Sequence, residues 1–340
     1  MYRLYWINKF YYVIITFRNR RRRKDTILNR KVSKRKMRKR FLKFASAALA
    51  LVLTFGLTAC GSDNNSSSDN NNSSKENNAS GTKDDGDKKI VVGVNPVPHA
   101  DILENAVKAV LAEEGWELEV VVFQDYVLPN TSLEAGELDA NYFQTLGYMN
   151  GQNEDNGLHL AAVAGVHIEP MGIYSQKYTS LADLPDGAEI GIPNDPDNAE
   201  RGLNLLVQKG LLNSLGGYGT DDSVTAESLT NNKEANPHGY KITPLEAASL
   251  PLSLPDLDAA AINGNYALGA DLPSTYPALE IEEFDEETSV RRTNFLVVLQ
   301  GNEESEMTKA LIAAVQSDAV KQYIEENYKG SVIASFIDPQ

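Results

Sequence analysis

From Lys89 onward, short apolar runs alternate with segments whose apolar residues recur every three to four positions. KIVVGVN (89–95) and ELEVVVF (117–123) are continuous apolar runs of strand length. Between them Ile102, Ala106, Val107, Val110 and Leu111 fall on one face of a helix predicted over 100–114. Strand, helix, strand at this spacing predicts parallel pairing through a right-handed crossover. Further strands are expected at 158–165, 189–193, 240–244, 258–263 and 294–300, with helices at 198–210, 247–252, 266–270 and 306–327. The class is therefore α/β, and about 250 residues is large for one sheet, so two lobes are expected. MGIYS (171–175) and NFLVVLQ (294–300) stand where the chain would cross to a second lobe and return. That gives 89–173 plus 297–340 as lobe 1, with the C-terminal helix packed on it, and 174–296 as lobe 2. Ligands of such folds sit just beyond the carboxyl ends of strands, in the cleft between the lobes.

Upstream the pattern is different. Residues 44–57 (FASAALALVLTFGL) carry no charge and follow the basic stretch RKRFLK (38–43). At about 1.5 Å per residue this run reaches roughly 20 Å as a helix, short of the ~30 Å needed to span a bilayer core, so it is read as a signal peptide over 37–59. It ends in Leu57, Thr58, Ala59, Cys60 and Gly61, which resembles the lipobox of bacterial lipoproteins and implies lipidation of Cys60. Residues 1–36 precede a complete signal beginning at Met37 and read as a mis-assigned or extended N-terminus. Residues 61–88 contain no aromatic or large aliphatic side chain and so cannot bury a core. Residues 60–88 are thus the lipidated cysteine and a disordered tether, whose 28 residues after Cys60 have a typical reach of roughly 30 Å.

Charge sharpens this division. Residues 1–59 hold 17 basic residues and one acid, Asp25. From Cys60 on, 15 basic residues stand against 46 acidic ones, a net charge of −31. Such a body lacks the basic face that binding to nucleic acid or an anionic surface requires. Cys60 is the only cysteine, so there is neither an internal disulfide nor a cysteine cluster for zinc. His99, His159, His167 and His238 are scattered; His167 and Glu169 share one side of a strand, but no metal site is expected from two ligands. The glycine-containing segments lack the spacing and lysine of a phosphate loop, and no G-x-S-x-G elbow occurs. No catalytic residue and no cofactor is assigned.

Six segments carry a family likeness: VPHADIL (97–103), FQDYVLPN (123–130), GELDANYFQ (136–144), HIEPMGIYS (167–175), IPNDPDNAERGL (192–203) and AAINGNYA (260–267). In this order, behind a lipobox, they resemble the methionine-binding lipoproteins of ABC importers, the NlpA family, over about 89–336. The resemblance implies a two-lobed periplasmic-binding-protein-like (type II) fold. It also implies a membrane-anchored, extracytoplasmic receptor that closes on L-methionine or D-methionine and delivers it to a permease driven by a cytoplasmic ATPase.

A free amino acid needs a fixed cation, several hydrogen-bonding groups and a lining matched to its side chain. Arg201, in the first turns of a helix opened by Asn194, Asp195, Pro196, Asp197 and Asn198, is the expected cation, offering a bidentate fork to the carboxylate. On spacing alone it is equally well a surface arginine pairing with Glu200 or Asp197. Asn198, Asn263 and Asn265 are expected to serve the ammonium or the carboxylate, with turn chemistry around Gly264 as the alternative for the last two. Tyr126, Tyr142, Phe143 and Tyr148 crowd two expected loops; Tyr126, Phe143 and Tyr148 are assigned to a thioether and Tyr142 to the core. Where relatives place a histidine after Phe-Gln, this chain has Thr145, which leaves room for a longer ligand or a water. The alternatives are a receptor for another amino acid or a methionine-containing dipeptide, a surface adhesin, or an enzyme on the same scaffold.

Overall fold

The computed structural model describes residues 88–221 and 223–339. The expected signal peptide, Cys60 and all of the tether but Lys88 lie outside the described residues.

Eleven strands form two sheets among the described residues. The first contains β1 (Lys89–Val94), β2 (Glu117–Val122), β3 (Ala140–Thr145), β4 (Leu160–Ile168), β10 (Thr293–Leu299) and β11 (Ile333–Ala334), in the order β11-β4-β10-β3-β1-β2. β1 runs parallel to β2 and β3, whereas β10 is antiparallel to both β3 and β4. The second contains β5 (Gly172–Tyr174), β6 (Glu189–Pro193), β7 (Lys241–Leu245), β8 (Ala259–Ile262) and β9 (Glu280–Ile281), in the order β7-β6-β8-β5-β9. β6 is parallel to β7 and β8, and β5 is antiparallel to β8 and β9.

The helices are α1 (Lys108–Glu113), α2 (Leu128–Glu134), α3 (Leu146–Asn156), α4 (Pro196–Gln208), α5 (Ala226–Thr230), α6 (Leu250–Ser253), α7 (Gly264–Gly269), α8 (Leu272–Thr275), α9 (Glu286–Arg292), α10 (Glu306–Val315) and α11 (Asp318–Tyr328). The run expected as one helix over 306–327 is two, because Ser317 leaves the helical region and its side chain caps α11 by accepting from the Val320 N–H.

Each sheet is covered on both faces, and the period-2 alternation of side chains sorts its residues between two cores. Along β10, Leu296 and Val298 join the core under α10 and α11, while Phe295 and Val297 point to the opposite core with Leu133 and Met149. Along β8, Ala259 and Ala261 pack beneath α4, and Ala260 and Ile262 face Leu250 and Leu254.

Strand pairing moves the expected lobe limits. β5 begins at Gly172 and pairs only in the second sheet, and β10 pairs in the first sheet from Thr293. The crossings therefore lie between Ile168 and Gly172 and before Thr293, so 172–173 belong with lobe 2 and 293–296 with lobe 1. A second correction concerns Tyr142, Phe143 and Tyr148, expected in a loop: the first two lie in β3, which is buried throughout, and Tyr148 in the first turn of α3.

Candidate functional site

The carboxyl ends of β3 and β8, the first turns of α3 and α4 and the loop after β2 converge on one cavity. Lobe 1 contributes Tyr126, Phe143, Gln144, Thr145, Tyr148 and Asn294; lobe 2 contributes Asn198, Arg201, Asn263, Gly264 and Asn265; Glu169 lies on the crossing between them. All eight ligand-contacting positions expected from the sequence line this one cavity, whereas Tyr142 is fully buried behind it.

The aromatic wall is held from several sides. Tyr126 lies 5.8 Å from Phe143 and 5.6 Å from Tyr148, ring centre to ring centre. The Tyr148 hydroxyl donates to the Tyr126 carbonyl at 3.0 Å, and the Tyr126 hydroxyl crosses the cleft to donate to Asn265 Oδ1 at 2.6 Å. Gln144 belongs to a buried amide network in which its Nε2 donates to Asn130 and Asn141. Thr145 ends β3 and caps α3, its Oγ1 accepting from the Tyr148 N–H at 3.4 Å.

Arg201 departs from the expectation. Its Nε and Nη2 are taken by Glu282, at 2.6 to 3.1 Å, and Nη2 also donates to the Glu169 carbonyl at 2.8 Å. The fork is thus spent on a protein carboxylate that is neither Glu200 nor Asp197, and Nη1 alone has no partner among the described residues. Burial by itself would lower the Arg201 pKa; Glu282, helped by Asp197 and Glu169, carries it above the ordinary arginine value. Asn198 is also spent: its Nδ2 donates to Asp195, and its Oδ1 accepts from Asn263 Nδ2 at 2.8 Å. Asn263 is left with Oδ1 as a buried acceptor without a partner.

Glu169 was considered in the sequence only as a companion of His167. It accepts from His167 Nε2 at 2.6 Å and lies 3.4 Å from His99 Nε2; the Asn265 backbone N–H also donates to it. The histidines are therefore not all scattered, since the fold brings His99 and His167 to one carboxylate with ligand-capable atoms within 4.8 Å of one another. Those atoms are already engaged: His167 Nε2 on Glu169, and His99 Nε2 on Asn294 Oδ1 at 3.1 Å. The far nitrogen of His167 meets the Tyr142 hydroxyl. Burial holds His99 down at about 4 and His167 at about 3, so both are neutral near pH 7, and burial raises the Glu169 carboxyl. The trio is a hydrogen-bonded support for Glu169. Gly264 allows the close approach of β8 to it, because a Cβ there would lie 2.7 Å from that of Glu169.

A cavity shared by two α/β lobes, with donors and acceptors converging beside an aromatic wall, is the arrangement of a solute receptor. The family model described as NlpA lipoprotein matches residues 90–336. The chain belongs to the NlpA lipoprotein family. Among relatives of this NlpA lipoprotein, the methionine-binding lipoprotein MetQ of Bacillus subtilis is 35% identical over 298 residues, 87% of this chain and 98% of that one. A nutrient binding protein from Burkholderia cenocepacia, solved bound to methionine, shares the fold with a TM-score of 0.65 at 37% identity, covering 73% of this chain and all of the other. A lipoprotein from Ruminococcus gnavus superposes with a TM-score of 0.67 at 40% identity over 73% of this NlpA lipoprotein and 99% of its own length. The two-lobed binding-protein fold expected from the sequence is the fold of the family.

Proposed function

We propose that this protein is a membrane-anchored receptor that binds methionine between its lobes and hands it to an ABC importer. The observation that carries the reading is the set of polar groups left over once internal bonds are counted. Asn263 Oδ1 is a buried acceptor without a partner, Arg201 Nη1 and Asn265 Nδ2 are donors outside the internal bonds, and the Glu169 carboxylate keeps acceptor capacity beside its bonds to His167 Nε2 and the Asn265 N–H, all on residues lining one cavity. Two donors suit an α-carboxylate and two acceptors an α-ammonium, while Tyr126, Phe143 and Tyr148 offer rings to a thioether. Gln144, Thr145, Asn198, Gly264 and Asn294 complete the lining. No step of bond making is assigned to any residue, and relatives named for methionine binding support a receptor over an enzyme.

Cys60 and its lipobox support anchoring by a lipid at that cysteine, with the body on the extracytoplasmic side at the end of the tether. A permease and, through it, a cytoplasmic ATPase are the partners. Mass spectrometry of ligand released from the purified protein, with calorimetry against L-methionine, D-methionine and a methionine-containing dipeptide, tests the reading. Methionine recovered and bound supports it. Exclusive binding of the dipeptide, or of no amino acid, overturns the ligand assignment.

A further inference from the structure

We infer that Gly147 and Asp197 form a closure clasp that sets affinity without touching the ligand. Asp197 lies on α4 of lobe 2, beside Asn198 and one turn before Arg201, yet it does not line the cavity. Its carboxylate instead seats on Gly147, at the start of α3 in lobe 1. A Cβ built on Gly147 would fall 2.5, 3.0 and 3.1 Å from Asp197 Oδ1, Cγ and Oδ2, and no other residue supplies its three nearest atoms. The same carboxylate is gripped at 2.8 Å by Arg291 Nη2 and at 3.1 Å by Arg292 Nη1, where α9 delivers the chain into β10 of lobe 1. Asp197 and Arg292 are 9% and 6% exposed, so this is a desolvated pair and not a rim contact.

Two hydrogen bonds among the described residues cross the cleft, Tyr126 to Asn265 and Tyr266 to the Gln124 carbonyl, and both involve the wall of the cavity or its neighbour. The clasp is independent of that wall. Because α4 carries both the clasp and two cavity residues, parting Asp197 from Gly147 draws Asn198 and Arg201 away from lobe 1. Gly147 must then be glycine for the closed state only. Within α3 itself an alanine is the better helix former, so the same substitution should leave the unliganded fold as stable or more so.

The affinity arm rests on methionine as ligand; a second arm does not. Gly147→Ala is made in the wild type and in Asp197→Ala, in the full-length lipoprotein. Methionine affinity and dissociation rate are measured, together with the lobe-to-lobe distance by energy transfer between dyes on cysteines introduced at the exposed Glu154 and Glu227. Gly147→Ala should weaken binding at least about tenfold, mainly through faster dissociation, and lengthen the distance, with an unchanged or raised melting temperature. In the Asp197→Ala background it should add less than about twofold, since nothing remains for the Cβ to strike. Equal losses in both backgrounds, or no change of distance in either, overturn the clasp. If the wild type binds no methionine, the proposed function falls while the distance measurements still decide the clasp.

Discussion

Removing Arg201 separates two roles that the structure gives to one guanidinium. Arg201 is 4% exposed and donates three bonds to Glu282, which is itself 11% exposed. Arg201→Ala would therefore strand a nearly buried carboxylate whose remaining partners are the Met171 N–H at 3.2 Å and Arg292 Nε at 3.8 Å. Breaking a buried pair from one side costs about 3–5 kcal/mol, and these two partners place the loss near the lower figure. For a domain of this size that is a melting temperature lower by roughly 6–12 °C. Independently, loss of a charge-assisted bond from Nη1 to the ligand carboxylate should cost about 1.5–3 kcal/mol, or about 10- to 150-fold in affinity.

The double variant Arg201→Met with Glu282→Leu distinguishes these effects. Replacing both partners by apolar groups removes the stranded charge, so the melting temperature should recover to within a few degrees of the wild type. The affinity should not recover, because the ligand carboxylate still lacks its cation. Scanning calorimetry and methionine titration on the same samples give both quantities. A double variant that binds methionine within about twofold of the wild type would falsify a ligand role for Arg201 and leave it a purely structural ion pair.

Tyr126→Phe deletes the bond to Asn265 across the cleft, so methionine affinity should fall by about 2- to 12-fold with little change in melting temperature; an unaltered dissociation constant would remove that bond from closure. Thr145→His exchanges a helix cap for an imidazole at the cavity, so it should destabilise the fold by about 1 kcal/mol while methionine binding changes no more than about tenfold; loss of all binding would make the threonine a specificity determinant. His99 and His167 lie at about 4 and about 3, below their ordinary value of 6.5, so the unfolded chain takes up their protons first and their contribution to stability is lost as pH falls from 6.5 toward 4. Glu169, raised above 4.5 by burial, acts in the opposite sense, but it is one group against two; the melting temperature should fall from pH 7 to pH 5, and less steeply in His167→Gln, and equal slopes would exclude His167 as a source. Methionine amide and N-acetylmethionine each lose one ligand charge and should bind at least about tenfold more weakly than methionine; parity of either would show that its missing charge is not read.

Much of this site was legible because its residues follow strands or open a helix. Asn263 and Asn265 come directly after the apolar run of β8, and Arg201 sits within a helix announced by Asp195 and Pro196. β3 was not legible, because ANYFQT is buried at all six positions yet mixes amides with aromatics. Its polar members are satisfied by Asn130 and by one another, partners that sequence spacing does not reveal. Glu282 was hidden for a related reason. It opens the acidic run EEFDEE (282–287), which reads as a solvated face, and only the fold brings it 81 residues back along the chain to Arg201. The meeting of His99 with Glu169 depends likewise on tertiary placement. Local pattern identifies what a residue can do, and long-range pairing decides whether that capacity is already spent.

Charge balance around the cleft accounts for the pairing of Arg201 with Glu282. Arg201, Arg291 and Arg292 are linked to Glu282 and Asp197 by an unbroken set of ion pairs, and Glu169 adds a third carboxylate at the cavity. Three cations thus face three anions in and beside the cavity, with Arg201 and Glu169 on its lining and Arg291 half exposed. A lone buried guanidinium would cost several kcal/mol of desolvation, which any ligand would have to repay; a paired one is held in position at little further cost. Burial also lowers Arg292, to about 10, but leaves it charged near pH 7, so the ion-pair set persists under physiological conditions. A balanced cluster favours a guest that is itself balanced, because on the proposed reading a zwitterion would add an ammonium beside Glu169 and a carboxylate beside Arg201 in the same event. The net charge of −31 on the surrounding body then matters little for capture, since a zwitterion carries no net charge for that field to repel.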